Sequence, residues 1–195
     1  MIYETFEYGA TTRANGIRQH YLRFGRGKEP LILLPGITSP AYLWDFVGDR
    51  LGSLFDTYVI DVRGRGLSQA TDDLSYDLDS YAADAASLAD QLGLDSYTLV
   101  GHSMGARIAL RTAVSHGDRI KRIVMIDPPV SGPGRRPYPV PLDRVLERLR
   151  LAERGELWEA TKDEALWSEH NLRTRAEWLH TCNKRAVVDT YNNFH

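Results

Sequence analysis

Short apolar runs alternate with amphipathic stretches over the first two thirds of the chain, and the alternation stops near residue 128. Residues 5–24 read as two strands around a turn, with Asn15-Gly16 as the hairpin pair because both residues tolerate left-handed dihedrals. LILLPG (31–36) and TYVIDVRG (57–64) are brief runs rich in Leu, Ile and Val, each closed by glycine. Such runs suit strands covered on both faces of a parallel sheet. Between them, 41–54 predicts a helix with Trp44, Val47 and Leu51 at helical spacing. Over 79–92, Tyr81, Ala85, Leu88 and Leu92 recur at steps of four, three and four, which places them on one helix face. Gly93 stands where a C-cap belongs. YTLVGHS (97–103) is the next strand, 104–116 a helix and IKRIVMID (120–127) another strand. Strand and helix in alternation with short links predict an α/β fold, a mostly parallel sheet with right-handed crossovers behind an N-terminal antiparallel hairpin.

At Asp127-Pro128-Pro129 the rhythm breaks. The stretch PPVSGPGRRPYPVP (128–141) is a Pro/Gly linker that cannot sustain regular structure. Beyond it the patterns are helical only, as in Leu142, Val145, Leu146 and Leu149 with charged residues between them. Trp158, Trp167 and Trp178 fall in this part, which reads as a helical lid over the mouth of the sheet. The expected organisation is a core over 1–132 and a cap over 133–195.

The chain of 195 residues is 43% hydrophobic and 26% charged with a formal net charge of −2, the profile of a globular protein with one sizeable core. That balance gives no electrostatic case for nucleic acid or an anionic membrane as partner, and a small molecule is the expected one. Arginines outnumber lysines twenty to four, which fits either base composition or carboxylate recognition by guanidinium forks. Cys182 is alone, so an internal disulfide is excluded and a reducing, cytoplasmic setting is expected. The opening MIYETFEYGATT lacks the basic start and apolar stretch of an export signal. The oligomeric state is not written in these features.

Chemistry enters at Gly101-His102-Ser103-Met104-Gly105, which fits the G-x-S-x-G nucleophile elbow. Three fixed letters in five are weak alone. Here they lie between an apolar strand and an amphipathic helix, the setting in which a sharp turn lifts a serine hydroxyl above a sheet. Pro35-Gly36-Ile37-Thr38 ends the preceding core strand. In this architecture one oxyanion donor is the N–H after the nucleophile, here Met104, and the other comes from that loop, here Ile37. Asp127 stands at the end of the strand after the elbow helix, where it serves either to orient a histidine or to accept hydrogen bonds from the following turn.

NGIRQHYLRFG, LPGITSP, FDTYVIDVRGRGLS, GLDSYTLVGHSMGAR, DPPVSGPGRR and RAEWLHTC together resemble the α/β-hydrolases, and more narrowly the N-formylmaleamate deformylases of bacterial nicotinate breakdown. The segments run from residue 15 to residue 182. The elbow and DVRGRGLS mark only the superfamily, whereas PGITSP, DPPVSGPGRR and RAEWLHTC are more particular. The resemblance implies Ser103 as nucleophile, Asp127 as triad acid and a carboxylate-bearing substrate. Arg135, Arg136 and Arg175 are then candidates for binding that carboxylate, Ser39 for a hydrogen bond to substrate and Trp178 for a pocket wall. Arg63 and Arg65 belong to the superfamily turn and are expected to brace loops.

The triad's histidine is harder to find. In chain order the base follows the acid. His20 and His102 precede Asp127 and point elsewhere, and His116 lies at the far end of the elbow helix. Of the rest, His170 and His180 belong to the cap and His195 is terminal. The expectation is that the base, and the last sheet strands with its loop, are absent from this chain, leaving an unpaired edge and severely impaired turnover. No ligand spacing implies a metal, and DVRGRG lacks the lysine of a phosphate loop, so no cofactor is expected. Competing readings are an esterase, a C–C hydrolase of ring-cleavage products, or a binding protein that has lost catalysis. Epoxide and haloalkane hydrolases are disfavoured, since those relatives carry aspartate in place of Ser103.

Overall fold

The computed structural model describes residues 3–132, 134–138, 140–162 and 167–193. Strands β1 (Phe6–Ala14) and β2 (Ile17–Phe24) form the expected hairpin, with Asn15 and Gly16 at φ +49° and +76°, both left-handed. Strand β3 (Pro30–Leu34) and strand β4 (Asp56–Ile60) follow, then β5 (Tyr97–His102) and β6 (Ile120–Ile126). The sheet has six strands in the order β1-β2-β4-β3-β5-β6. The β1–β2 and β2–β4 pairs are antiparallel, while β4, β3, β5 and β6 run parallel.

Helices α2 (Leu78–Gln91) and α3 (Met104–His116) cover one face of the sheet, where Tyr81, Ala85, Leu88, Leu99 and Ile108 make the main core. Helix α1 (Asp45–Gly52) covers the other, against Leu22, Phe24, Leu33 and Val59. The stretch 41–54 is not one helix. A 3-10 turn over Ala41–Trp44 precedes α1, because Pro40 starts the turn and Ala41 N–H is drawn to the buried carboxylate of Asp61 at 2.6 Å. Asp61 also accepts from Leu67 N–H at 3.0 Å and contacts His20 Nδ1 at 2.7 Å, so one carboxylate gathers β2, the 3-10 turn and the loop after β4.

Helices α4 (Leu142–Glu153), α5 (Leu157–Thr161), α6 (Glu169–Leu179) and α7 (Lys184–Asn193) form the cap around its own small core of Val145, Leu149, Leu179 and Val187. Asn183 N–H donates to Gly64 O at 2.9 Å, fixing the start of α7 on the loop after β4. Strand β6 has a neighbour on one side only among the described residues, and Val124, Met125 and Ile126 are 45%, 39% and 42% exposed. Among the described residues no helix is long and apolar enough to cross a membrane.

Candidate active site

Ser103 occupies the bend between β5 and α3 at φ +53°, ψ −117°, a conformation that costs a side-chain-bearing residue roughly 1–3 kcal/mol. The neighbouring glycines make the bend possible. A Cβ on Gly101 would stand 2.2 Å from Gly105 O, and one on Gly105 would stand 1.9 Å from Leu34 O. Ser103 N–H donates to Ile126 O at 2.9 Å, which ties the elbow to the end of β6. Strain this local persists only where surrounding structure enforces it, and it turns the hydroxyl out of the helix it precedes.

Two backbone donors flank the serine. Met104 opens α3, so its N–H has no carbonyl behind it within the helix. Ile37 sits in the loop after β3. Neither N–H has an acceptor among the described residues. The loop is packed onto the elbow at Gly36, where a Cβ would lie 3.3 Å from His102 Nδ1, 3.5 Å from Ser103 Cβ and 3.6 Å from Ser39 Oγ. Ser39 N–H closes the turn by donating to Gly36 O at 3.2 Å.

Ser103, Ile37 and Met104 line a recess of about 290 Å³, partly open to solvent, together with Tyr138, Thr190 and Tyr191. Its walls are predominantly apolar. Arg107, one helical turn past the serine, shares this wall. Its guanidinium donates to Pro129 O through Nε at 3.1 Å and Nη2 at 2.6 Å, and to Ser131 O at 2.6 Å. Those bonds hold the loop after Asp127 against the elbow helix. Asp127 itself is exposed at φ +45°.

Residues 29–180 match the alpha/beta hydrolase fold family. The chain belongs to this family. It is 53% identical over 192 residues to the N-formylmaleamate deformylase of Pseudomonas putida, a match spanning 98% of this chain and 72% of that protein. The crystal structure of the N-formylmaleamic acid deformylase of Pseudomonas putida S16 superposes with a TM-score of 0.89 at 46% identity, covering 96% of this chain and 74% of that one. A shorter match, 37% identical over 103 residues, links 52% of the chain to 37% of the 2-(acetamidomethylene)succinate hydrolase of Mesorhizobium japonicum.

With the α/β-hydrolase frame in hand, the other sequence candidates can be placed. Arg175 is buried, and its guanidinium donates to Thr38 O and Thr38 Oγ1, both at 3.2 Å, and lies over the Trp167 ring. It therefore grips the oxyanion loop from the cap. Trp178 stacks on Tyr42 at 4.4 Å between ring centres, beside that loop and not on the wall of the opening. Arg135 and Arg136 are exposed, and Arg135 lines a surface cleft with Arg107, Arg111 and Met125.

Among the described residues no imidazole lies within hydrogen-bond distance of Ser103 or Asp127. His20 is buried against Asp61, and His116, His170 and His180 are exposed. His195 lies outside the described residues. His102 turns its ring toward Trp44, 5.0 Å between centres, with Nδ1 buried and without a partner. Burial pushes its imidazole below the ordinary value, while the Asp127 carboxylate pulls the other way. Cys182 is no rival nucleophile, because burial raises its thiol to about 11.

Sequence reasoning passed over Thr190, Tyr138 and Tyr191, which come from the cap and from the linker and meet over Ser103 only in three dimensions. No local signal marks them.

Proposed function

We propose that this chain carries the nucleophile and oxyanion half of a serine hydrolase that removes formate from a small carboxylate-bearing formyl amide such as N-formylmaleamate. One observation carries the reading: Ser103 is held in a strained left-handed bend between two N–H groups that have no acceptor among the described residues. The identity of 53% to a deformylase supports the choice of substrate class.

In this reading Ser103 Oγ attacks the formyl carbon as its proton passes to a base. The carbonyl oxygen becomes negative and is met by the Ile37 and Met104 N–H groups. The C–N bond then breaks, the amide nitrogen takes the proton back, and water hydrolyses the formyl ester on Ser103 to release formate. Asp127 is the acid that orients the base. The base is a histidine from outside the described residues, brought in by sheet strands that pair with the free side of β6. The exposed apolar side chains of β6, which has a neighbour on one side only among the described residues, support this. Without that imidazole the chain keeps its binding and oxyanion groups but turns over poorly. Arg175 and Trp178 serve the substrate by holding the loop that contacts it, and Ser39, Arg135 and Arg136 stay as candidates for its polar end. A cytoplasmic setting suits the lone buried thiol.

Assaying formate release from N-formylmaleamate beside a panel of aryl esters and ring-cleavage dienoates tests the assignment. Preference for the formyl amide is the expected result. Faster turnover of esters or dienoates would move the chain to one of those classes, and no Ser103-dependent reaction with any of them would make it a binding protein.

A further inference from the structure

Two arginines follow β4 two positions apart, and the fold buries both. Arg63 has its counter-ion: Nε and Nη2 each reach the Asp84 carboxylate at 2.6 Å. Arg65 has none. It is 0% exposed, and among the described residues no carboxylate stands within ion-pair distance of it. Its donors end on neutral oxygens instead. Nε donates to Ile37 O at 2.9 Å, Nη1 to Arg63 O at 3.0 Å and to Tyr81 Oη, and Nη2 to Thr190 Oγ1 at 3.1 Å and Ala186 O at 3.4 Å. Nη2 also lies 3.9 Å from Met104 Sδ.

A guanidinium is a permanent cation, and burying one without an anion is unfavourable unless something compensates. A neutral side chain of similar length would spare that cost. The two residues that carry the free oxyanion N–H groups, Ile37 and Met104, are both in contact with this one fork. Its third anchor, Thr190, lines the opening above Ser103 and shares its hydroxyl with Tyr81 Oη at 2.8 Å.

We infer that Arg65 is a positioning residue for the oxyanion pocket. Its fork fixes the Ile37 and Met104 segments against each other and against α7, and its unneutralised charge stands behind the point where the carbonyl oxygen turns negative. The counter-ion that no described residue provides is supplied by the transition state. This rests on the serine-hydrolase reading above but not on the formyl substrate. The charge acts on any tetrahedral oxyanion at Ser103, whatever the leaving group, and a neutral substrate gains as much as a carboxylate-bearing one.

The test is phosphonylation of Ser103 by an uncharged alkyl fluorophosphonate in imidazole buffer, followed by intact mass, with formate release from N-formylmaleamate measured in parallel. For Arg65→Gln the maximal labelling rate is expected to fall at least tenfold while the concentration for half-maximal rate stays within twofold. Arg65→Lys keeps the charge but gives up the fork, so it should recover part of that loss. Should Arg65→Gln fail to fold, Arg65→Lys against wild type, with thermal unfolding and half-saturation unchanged, gives the same comparison at a three- to tenfold loss. A foldable Arg65→Gln or Arg65→Lys that labels at the wild-type rate, or that loses only half-saturation, would overturn the inference. So would a wild-type chain that is not labelled. A wild type that is labelled but releases no formate removes the deformylase reading alone and leaves Arg65 to be judged by the labelling ratio.

Discussion

Arg175 of α6 donates to both the carbonyl and the hydroxyl of Thr38, the residue next to Ile37 in the loop after β3. Helix α6 and the loop after β3 are thus joined by this side chain. Hydrogen bonds from a charged donor contribute about 1.5–3 kcal/mol each way of counting. Arg175→Met and Thr38→Val are expected to destabilise the fold and to show a coupling of about 1 kcal/mol in a double-mutant cycle followed by urea unfolding. Strict additivity would mean the contact does not join the two parts.

Ser103→Gly should raise stability while ending acylation. Relief of the left-handed strain is worth roughly 1–3 kcal/mol, against about 0.4–1 kcal/mol lost to the freer unfolded chain. A net gain of about 1 kcal/mol in thermal or urea unfolding is the expected outcome. A net loss would show that the serine side chain is not strained at the bend.

Gly105→Ala brings a Cβ to 1.9 Å from Leu34 O, a backbone atom that cannot swing aside. Overpacking of this kind costs about 2–3 kcal/mol, and here it also displaces the elbow from the loop after β3. Labelling of Ser103 should fall together with stability.

Arg63→Met leaves the Asp84 carboxylate, 2% exposed, without its counter-ion, with only Asn15 Nδ2 among the described residues still donating to it at 2.9 Å. Removing one member of a buried pair costs about 3–5 kcal/mol, while an apolar replacement of both is often neutral. The Arg63→Met/Asp84→Leu double variant should therefore unfold later than Arg63→Met alone.

The imidazole of His102 titrates below its ordinary value because it is buried. The unfolded chain then takes up this proton first as pH falls, so stability is full above about pH 6.5 and declines below it. His102→Asn should flatten the fall of the unfolding free energy below about pH 6.5 relative to wild type. An unchanged slope would place the titration elsewhere.

Much of this was legible in the chain. Short continuous apolar runs located β3, β4 and β5 and the 3.6-residue period located α2, because those elements lie where burial dictates residue type. Asn15-Gly16 gave the hairpin through its dihedral preference. The elbow was readable because its glycines answer to a purely local backbone collision. What did not read out is long-range. Pro40 and the Asp61 carboxylate break 41–54 into a 3-10 turn and α1, and Asp61 is twenty residues away in sequence. Arg175 read as a candidate for the substrate carboxylate, and its contact with Thr38, 137 positions away, could not be read from the pattern. The lack of a counter-ion at Arg65 depends on what four separate segments leave unoccupied, and no spacing encodes that.

Formate release from N-formylmaleamate, followed against imidazole concentration in wild type and Ser103→Ala, bears most directly on the central claim. With Ser103 as the proposed nucleophile and no imidazole among the described residues within reach of it, release should climb with added imidazole and vanish in Ser103→Ala. Release that persists in Ser103→Ala, or that is fast without imidazole and indifferent to it, would contradict the account.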